Sequence, residues 1–304
     1  MKPPGQLLKR SFFEAPPERV APLLLGKILV RRTEERKLIA GRIVEVEAYL
    51  GPHNKQPDPA AHSYRGPTPR NSVLFGPAGH AYVYAIYGRY FCMNITCEKP
   101  GRAGCILLRA LEPVAGLELM ARNREAGNKG TREQGNKRTT IAKSERGWRA
   151  GEGALSPFSQ KTREGWGDGD EGALREKDNC RSFGSVPPGR DFAQDDNGAS
   201  ALKGWMAREL TSGPGRLCQA LGLTRAAHNG LDLLDPSSPL QVWDDGMRVR
   251  KVLVTRRIGI RHAAELPLRF AVAGNPCVSG PKSLTGECIF PRRESVHRTK
   301  PVQS

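Results

Sequence analysis

The stretch Gly41-Arg42-Ile43-Val44-Glu45-Val46-Glu47-Ala48-Tyr49-Leu50-Gly51 alternates apolar and polar side chains with a period of two, the mark of a strand with one face in a core. The alternation predicts Val44, Val46, Ala48 and Leu50 on the packed face, and Ile43, Glu45, Glu47 and Tyr49 on the other. That second face sends two carboxylates and a phenol the same way. Carboxylates two residues apart on one face stand roughly 7 Å from each other and repel unless a cation or water lies between them. The spacing fits a functional site, and it fits equally an exposed acidic row on a surface strand.

Upstream, Lys27 to Thr33 reads as a strand that forms a hairpin with Leu38 to Leu50 across the charged turn Glu34 to Lys37. Ser11 to Gly26 reads as a short helix, with Pro16 and Pro17 at its start, Val20, Leu23, Leu24 and Leu25 apolar, and Gly26 as its stop. Downstream, strands are expected over Gly79 to Tyr87, Tyr90 to Thr96 and Gly104 to Leu111, and Pro113 is placed to open a helix through Leu117, Leu119 and Met120. From 123 to 204 the chain is crowded with Gly, Lys, Arg, Glu, Asp and Ser, and its few large apolar residues follow no period. It is expected to be a disordered basic insertion. Pattern resumes near Trp205, with a helix at Pro214 to Leu223 and strands at Val249 to Ile260 and Leu266 to Ala273. Residues 1–122 and 205–280 are thus expected to be two parts of one folded unit, followed by a basic tail, 281–304.

The 304 residues carry 48 Lys plus Arg against 31 Asp plus Glu, a formal net charge of +17. A surplus of this size points to a polyanion, because each cation placed on a phosphate releases counterions. All six tyrosines lie between Tyr49 and Tyr90, which adds a stacking surface suited to bases. A solvated basic surface over a tyrosine-rich core is the bland alternative. The seven cysteines are odd in number and lack both a Cys-x-x-Cys pair and zinc-finger spacing, so free thiols in a reducing cytosol are expected, with no metal and no cofactor. No apolar run approaches bilayer length, and a cytoplasmic protein is expected, nucleoid-associated if bacterial, and monomeric.

Four further constellations bear on chemistry. Tyr82 to Asn94 reads as a hairpin turning near Gly88, with Tyr82 and Tyr84 on one face and Tyr87 at the tip beside Arg89. A tip aromatic suits a wedge into a base stack, although a Tyr-rich strand pair covering a core is the commoner use. Arg109 lies inside the apolar run Cys105 to Leu111; a buried guanidinium needs an anion, and Glu47 is the natural partner, unless Arg109 simply reaches solvent. Pro67-Thr68-Pro69-Arg70-Asn71 is a turn with a cation, suited to a phosphate or merely a loop. Ser212-Gly213-Pro214-Gly215-Arg216 precedes a helix and could receive a phosphate there.

Taken in order, residues 41–52, Ala-Ala-His-Ser at 60–63, Thr-Pro-Arg-Asn at 68–71, Tyr-Val-Tyr-Ala-Ile-Tyr-Gly-Arg-Tyr-Phe-Cys-Met-Asn at 82–94, Leu-Leu-Arg-Ala-Leu-Glu-Pro at 107–113, Ser-Gly-Pro-Gly-Arg-Leu-Cys-Gln-Ala-Leu at 212–221 and Pro-Leu-Arg-Phe at 267–270 form a series that resembles the alkyladenine (3-methyladenine) DNA glycosylase family. The likeness covers most of 10–122 and 205–279. It implies an α+β fold, a single mixed domain around a curved antiparallel sheet with a protruding DNA-intercalating hairpin. It implies duplex DNA containing damaged purines as the partner, a nucleotide flipped out of the helix, and hydrolysis of its bond to deoxyribose. Residue by residue, Glu47 matches the general base, Arg109 the group that helps position the attacking water, and Tyr49, His62 and Tyr84 the residues that stack around the flipped base. Asn94 matches the amide that screens out guanine and Tyr87 the wedge, while Thr68, Arg70 and Arg216 match phosphate contacts. Glu45 matches no catalytic position.

A cationic base such as 3-methyladenine or 7-methylguanine leaves without a strong acid; neutral hypoxanthine or ethenoadenine needs protonation, and no acid stands out. No lysine stands out as a Schiff-base nucleophile, so a monofunctional hydrolase leaving an abasic site is expected. The sequence departs from the pattern in a longer spacer, Gln56-Pro57-Asp58-Pro59, in Leu74 where a methionine is familiar at the DNA surface, and in the long insertion. A protein that binds distorted DNA or RNA without chemistry is the rival class; a metal-dependent nuclease is disfavoured by the lack of an Asp/Glu/His cluster.

Overall fold

The structure, a computed structural model, describes residues 5–88, 90–127, 208, 210–280 and 286–289. Strand β3 (Leu38–Tyr49) is its spine. Strand β6 (Gly104–Ala115) runs along one edge of β3, followed outward by β5 (Tyr90–Cys97) and β4 (Ala81–Ile86). The other edge of β3 is shared. Its first part pairs with β2 (Ile28–Arg32), beyond which lie β7 (Leu240–Asp244) and β1 (Gln6–Leu7). Its last part, Glu45 to Glu47, pairs with β9 (Arg269–Val272), which carries β8 (Val252–Thr255) and β10 (Glu287–Ile289). Among the described residues every pairing is antiparallel, the sheet does not close and helices are few, so the fold is α+β.

Helices cover one face. Pro17–Leu24 starts with Pro17 at its first position, where a missing N–H costs nothing, and buries Val20, Ala21 and Leu24. The helix Pro214–Ala220 buries Leu217, Cys218 and Ala220 and packs against β5. Between these helices and the sheet lies the main core, with Ile43, Val46, Ala48, Met93, Ile95, Ile106 and Leu108. Each such side chain, fully removed from water, contributes about 1.5–3 kcal/mol. The opposite face, with Tyr49, Tyr82, Cys92, Cys105 and Leu107, is covered by the loop that brings in Ala61 and Leu74.

Several expectations need correction. The alternation in β3 breaks at a pair of opposed irregularities: Val44 is extra between Ile43↔Leu111 and Glu45↔Ala110, and Arg109 is extra between Ala110 and Leu108. Ile43 therefore joins Val46 and Ala48 in the main core, while Val44 packs with Ala110 and Ala271 in a separate cluster. A bulge re-aims side chains in this way, and two facing ones put Glu45 and Arg109 together. Pro113 opens no helix. It pairs with Gly41 inside β6, beside an irregularity that tolerates its missing N–H, and a helix follows Gly116 (φ 78°) over 117–127. That helix runs past residue 122, tied down by Asn123 Nδ2 donating to the Ala220 carbonyl at 2.9 Å and by Arg124 donating to Gln219. The rest of the stretch read as an insertion, Trp205 and Arg89 lie outside the described residues.

The expected helix from Ser11 is a short 3-10 turn (Arg10–Phe12) followed by Pro17–Leu24, because the residue before a proline is pushed out of the helical region and Ala15-Pro16-Pro17 does so twice. The strand expected over 249–260 ends at Thr255, giving way to a loop, and Glu287–Ile289 rejoins the sheet within the stretch read as a tail. Leu74, expected at the surface, is 1% exposed and packs from the loop into the cluster with Tyr49 and Tyr82. Strands β1 and β7 and the short helix Arg225–His228 were not foreseen. That helix is capped by Thr224, whose hydroxyl accepts from Ala227 N–H, and the adjoining Asn229 to Leu231 satisfies the outer edge of β4.

Candidate active site

The register lays one row of side chains across five strands on the loop-covered face: Tyr82, Asn94, Leu107, Glu47 and Arg269 are successive cross-strand partners. Tyr84 opposite Cys92, and Tyr49 opposite Cys105, stand beside that row. Side chains that share a face at opposed positions stand within about 5.5 Å at their Cβ atoms, so the pairing alone gathers residues separated by more than 200 positions in the chain.

Glu47 is fully buried and ionically paired. Its Oε1 accepts from Ile258 N–H at 2.8 Å and faces Arg109 Nη1 at 3.1 Å, and its Oε2 accepts from the Tyr49 hydroxyl at 2.9 Å. An ionised carboxylate offers about four acceptor sites. Two are taken by the hydrogen bonds from Tyr49 and Ile258, Arg109 adds an ion pair on Oε1, and among the described residues a second site on Oε2 meets no donor.

Beneath lies a second buried carboxylate. Glu45 Oε1 accepts from Arg109 Nε at 2.8 Å, Arg269 Nε at 2.7 Å and Ser279 Oγ at 2.8 Å, and Oε2 accepts from Ser279 N–H at 2.6 Å. The repulsion expected between Glu45 and Glu47 is thus relieved by Arg109 between them and Arg269 alongside. Burial opposes the charge of Glu45, but Arg109, Arg269 and the Ser279 amide outweigh it and hold the carboxyl below its usual range. Burial likewise opposes the Arg109 charge, and Glu47 and Glu45 raise its guanidinium above the ordinary arginine value. The two carboxylates and two guanidiniums sum to zero charge, which makes their joint burial tolerable.

The aromatic groups form a wall. Tyr82 and Tyr84 stack at 5.2 Å between ring centroids, and His62 stands edge-on to Tyr84 at 4.5 Å with Nδ1 3.0 Å from the Tyr82 hydroxyl. Packing against the tyrosines, then Arg70, lowers His62 from its ordinary value, although one side of the ring is exposed. Burial pushes the Tyr82 phenol up to about 12 and raises those of Tyr49 and Tyr84 well above the ordinary phenol value, so all three remain neutral. Asn71 holds the loop carrying His62, donating through Nδ2 to the carbonyls of His62 (2.8 Å) and Gly66 (3.1 Å). Outside the wall a pocket of about 410 Å³ is lined by His62, Arg65, Thr68, Arg70 and Tyr82 among others, and it does not reach Glu47.

Of the residues singled out from the sequence, Glu47, Arg109 and Tyr49 are in direct contact, His62 and Tyr84 touch each other, and Asn94 lies in the row between Tyr82 and Leu107. Tyr87 stands at the tip of the β4–β5 hairpin, 88% exposed and with φ 50°. Thr68 and Arg70 are exposed on the loop. Arg216 is half-buried in the helix Pro214–Ala220, and of the nearby amides that of Gly213 is already donated to the Arg109 carbonyl at 2.9 Å. Arg269, Ser279, Ile258, Asp58 and Arg257 were missed. Arg269 lies within a matched block without a role of its own, whereas nothing in the local pattern marks the others.

The chain belongs to the methylpurine-DNA glycosylase family, which it matches over residues 11–155 and 185–276. The unmatched residues 156–184 fall inside the stretch read as an insertion. Among similar proteins, one from Koribacter versatilis is 40% identical over 277 residues, covering 91% of this chain and 95% of the relative. Another from Methanoculleus marisnigri is 36% identical over 276 residues, covering 90% and 98%, and one from Burkholderia lata is 35% identical over 279 residues, covering 91% and 93%. All three are provisionally named 3-methyladenine DNA glycosylases. Among the described residues no helix is long and apolar enough to cross a membrane.

Proposed function

We propose that this protein flips alkylated or deaminated purines out of duplex DNA and hydrolyses the N-glycosidic bond, leaving an abasic site without cutting the strand. Glu47 takes a proton from a water molecule; the water oxygen bonds to C1′ of the deoxyribose as the C1′–N bond breaks, and the bonding electrons leave with the purine. Arg109 helps hold that water. Tyr49, His62 and Tyr84 stack around the flipped base, each contact worth about 1–3 kcal/mol, which offsets the few kcal/mol needed to unstack a damaged base. Asn94 screens the base edge, Tyr87 fills the gap left in the duplex, and Thr68, Arg70 and Arg216 meet phosphates. 3-Methyladenine and 7-methylguanine, already cationic, leave without a strong acid, whereas hypoxanthine and ethenoadenine, also proposed substrates, need protonation. The enzyme acts as a monomer, alongside the chromosome, in the nucleoid if the cell is bacterial.

The observation that carries this reading is Glu47: a fully buried carboxylate held by two hydrogen bonds and the Arg109 ion pair, with an acceptor site on Oε2 that no described residue fills, bonded to Tyr49 of the aromatic cluster. The test is a duplex with one hypoxanthine, and methylated DNA releasing 3-methyladenine, treated with wild type or Glu47→Gln and then with hot alkali. Strand breakage by wild type only after alkali, abolished by Glu47→Gln with duplex binding retained, is the expected result. Binding without loss of either base would instead make the protein a non-catalytic reader of distorted DNA.

A further inference from the structure

A second buried ion pair stands behind the site, and the chemistry above does not use it. Arg257 and Asp58 are joined in bidentate fashion, Nη1 to Oδ2 at 2.5 Å and Nη2 to Oδ1 at 2.9 Å, with both side chains fully buried. The remaining Nη hydrogens go to the carbonyls of Ala48 (3.2 Å) and Ala263 (3.0 Å). Nε–H has no hydrogen-bond partner among the described residues, and the guanidinium carbon lies 4.7 Å from the centroid of the Tyr49 ring. Asp58 is held in turn by the amides of Leu50 and Ala60. The pair therefore ties the loop after β3 to the loop after β8, across 199 positions of sequence.

Both hydrogen-bond donors to Glu47 depend on this point. Tyr49, which donates to Oε2, has one ring face covered by Arg257; because Arg257 is buried, a base can stack only on the other face. Ile258, whose amide donates to Oε1, is the next residue after Arg257. A buried ion pair contributes little net stability, since desolvation offsets its attraction, but it fixes geometry that an apolar pair would leave free to slide. Burial opposes the Arg257 charge and Asp58 more than restores it, so the cation persists at all accessible pH.

We propose that Asp58 and Arg257 are positioning residues for catalysis: together they set the Tyr49 hydroxyl and the Ile258 amide on opposite oxygens of Glu47 and so aim its free acceptor site at the water. The inference rests on the assignment of Glu47 as the base. Misplacement of a reacting group by about 1 Å costs roughly 100-fold in rate, whereas grip on the duplex depends on other groups.

The test compares wild type, Arg257→Met and Arg257→Lys by single-turnover release of 7-methylguanine, by affinity for the same duplex, and by crystal structures of the free proteins. Arg257→Met is expected to lose about 10- to 100-fold in release rate with affinity held within about twofold, Arg257→Lys to recover part of that loss, and the Arg257→Met structure to show Tyr49 Oη or Ile258 N drawn away from Glu47. The proposal is overturned if both donors stay on Glu47 in Arg257→Met, if they move and the rate does not fall, or if rate and affinity fall together. Should Arg257→Met fail to fold, Asp58→Asn, which keeps the volume and removes one charge, is judged by the same three readouts. A wild type that binds the duplex and releases no base defeats the assignment of Glu47 instead, and the crystal structures then decide the positioning by themselves.

Discussion

Glu45 and Glu47 are two residues apart on the same strand, both fully buried, and their surroundings give them different tasks. Glu45 accepts four hydrogen bonds, from Arg109, from Arg269 and twice from Ser279, and so serves to hold those groups in place. Glu47 accepts two among the described residues, from Tyr49 and the Ile258 amide, and is paired with Arg109 besides. Glu45→Gln would leave two buried guanidiniums facing an amide and turn a neutral cluster into one of net charge +1. A loss of about 3 kcal/mol in unfolding free energy is expected, read from denaturant midpoints, because breaking one side of a buried pair leaves its partner uncompensated. The rate of base release should fall with it, since Arg109 loses one of its two carboxylate anchors.

At the scale of the element, the β4–β5 hairpin has a base and a tip with different physics. Its base is packed, with Tyr82 and Val83 buried, and its outer edge is satisfied by the segment after Thr224. Its tip carries Tyr87 almost wholly in solvent, in the left-handed region that a tyrosine rarely adopts. A large ring held out at some backbone cost and burying nothing is poorly explained by folding. Tyr87→Ala is therefore expected to change stability by no more than about 0.5 kcal/mol, while release of hypoxanthine from duplex DNA falls at least several-fold. A thermal melt and a single-turnover assay check the two halves; a large loss of stability would show that the ring packs. The hairpin itself was legible, because period-two alternation on both sides of Gly88 requires it. The shift of Ile43 into the core was not, because opposed bulges at Val44 and Arg109 depend on the partner strand and leave no mark on the pattern of either strand alone.

Across the whole molecule, the far edge of the sheet is held by charges that the site does not use. Lys27 Nζ lies 3.0 Å from Asp244 Oδ1, both nearly buried, joining the start of β2 to β7. Burial would raise the Asp244 carboxyl, but hydrogen bonds from Lys27, Gly246 N–H and Arg248 hold it down at about 2. Its folded value lies below the unfolded one, so its contribution is complete above about pH 4 and is lost as pH falls towards 2. Asp244→Asn should remove that component. Between pH 5 and pH 2.5 wild type is expected to lose on the order of 1–2 kcal/mol more than the variant, measured by denaturant titration at both values.

What the sequence determined by itself was the local and the ordered: the strands on either side of residues 41–51, the hairpin around Gly88, the surplus of positive charge, and a series of blocks specific enough to name Glu47, Tyr49, His62, Tyr84 and Arg109. Those signals survive in one dimension because strand periodicity and turn chemistry act over a few residues. Tertiary structure alone decided that Glu45 anchors Arg109, that Pro113 belongs to a strand, that Leu74 is buried, and that Asp58, Arg257, Arg269 and Ser279 converge on two carboxylates of β3. Each of these depends on a partner roughly 70 to 230 positions away or on the register of a neighbouring strand, and a buried charge is recognisable only once the group that compensates it is in place.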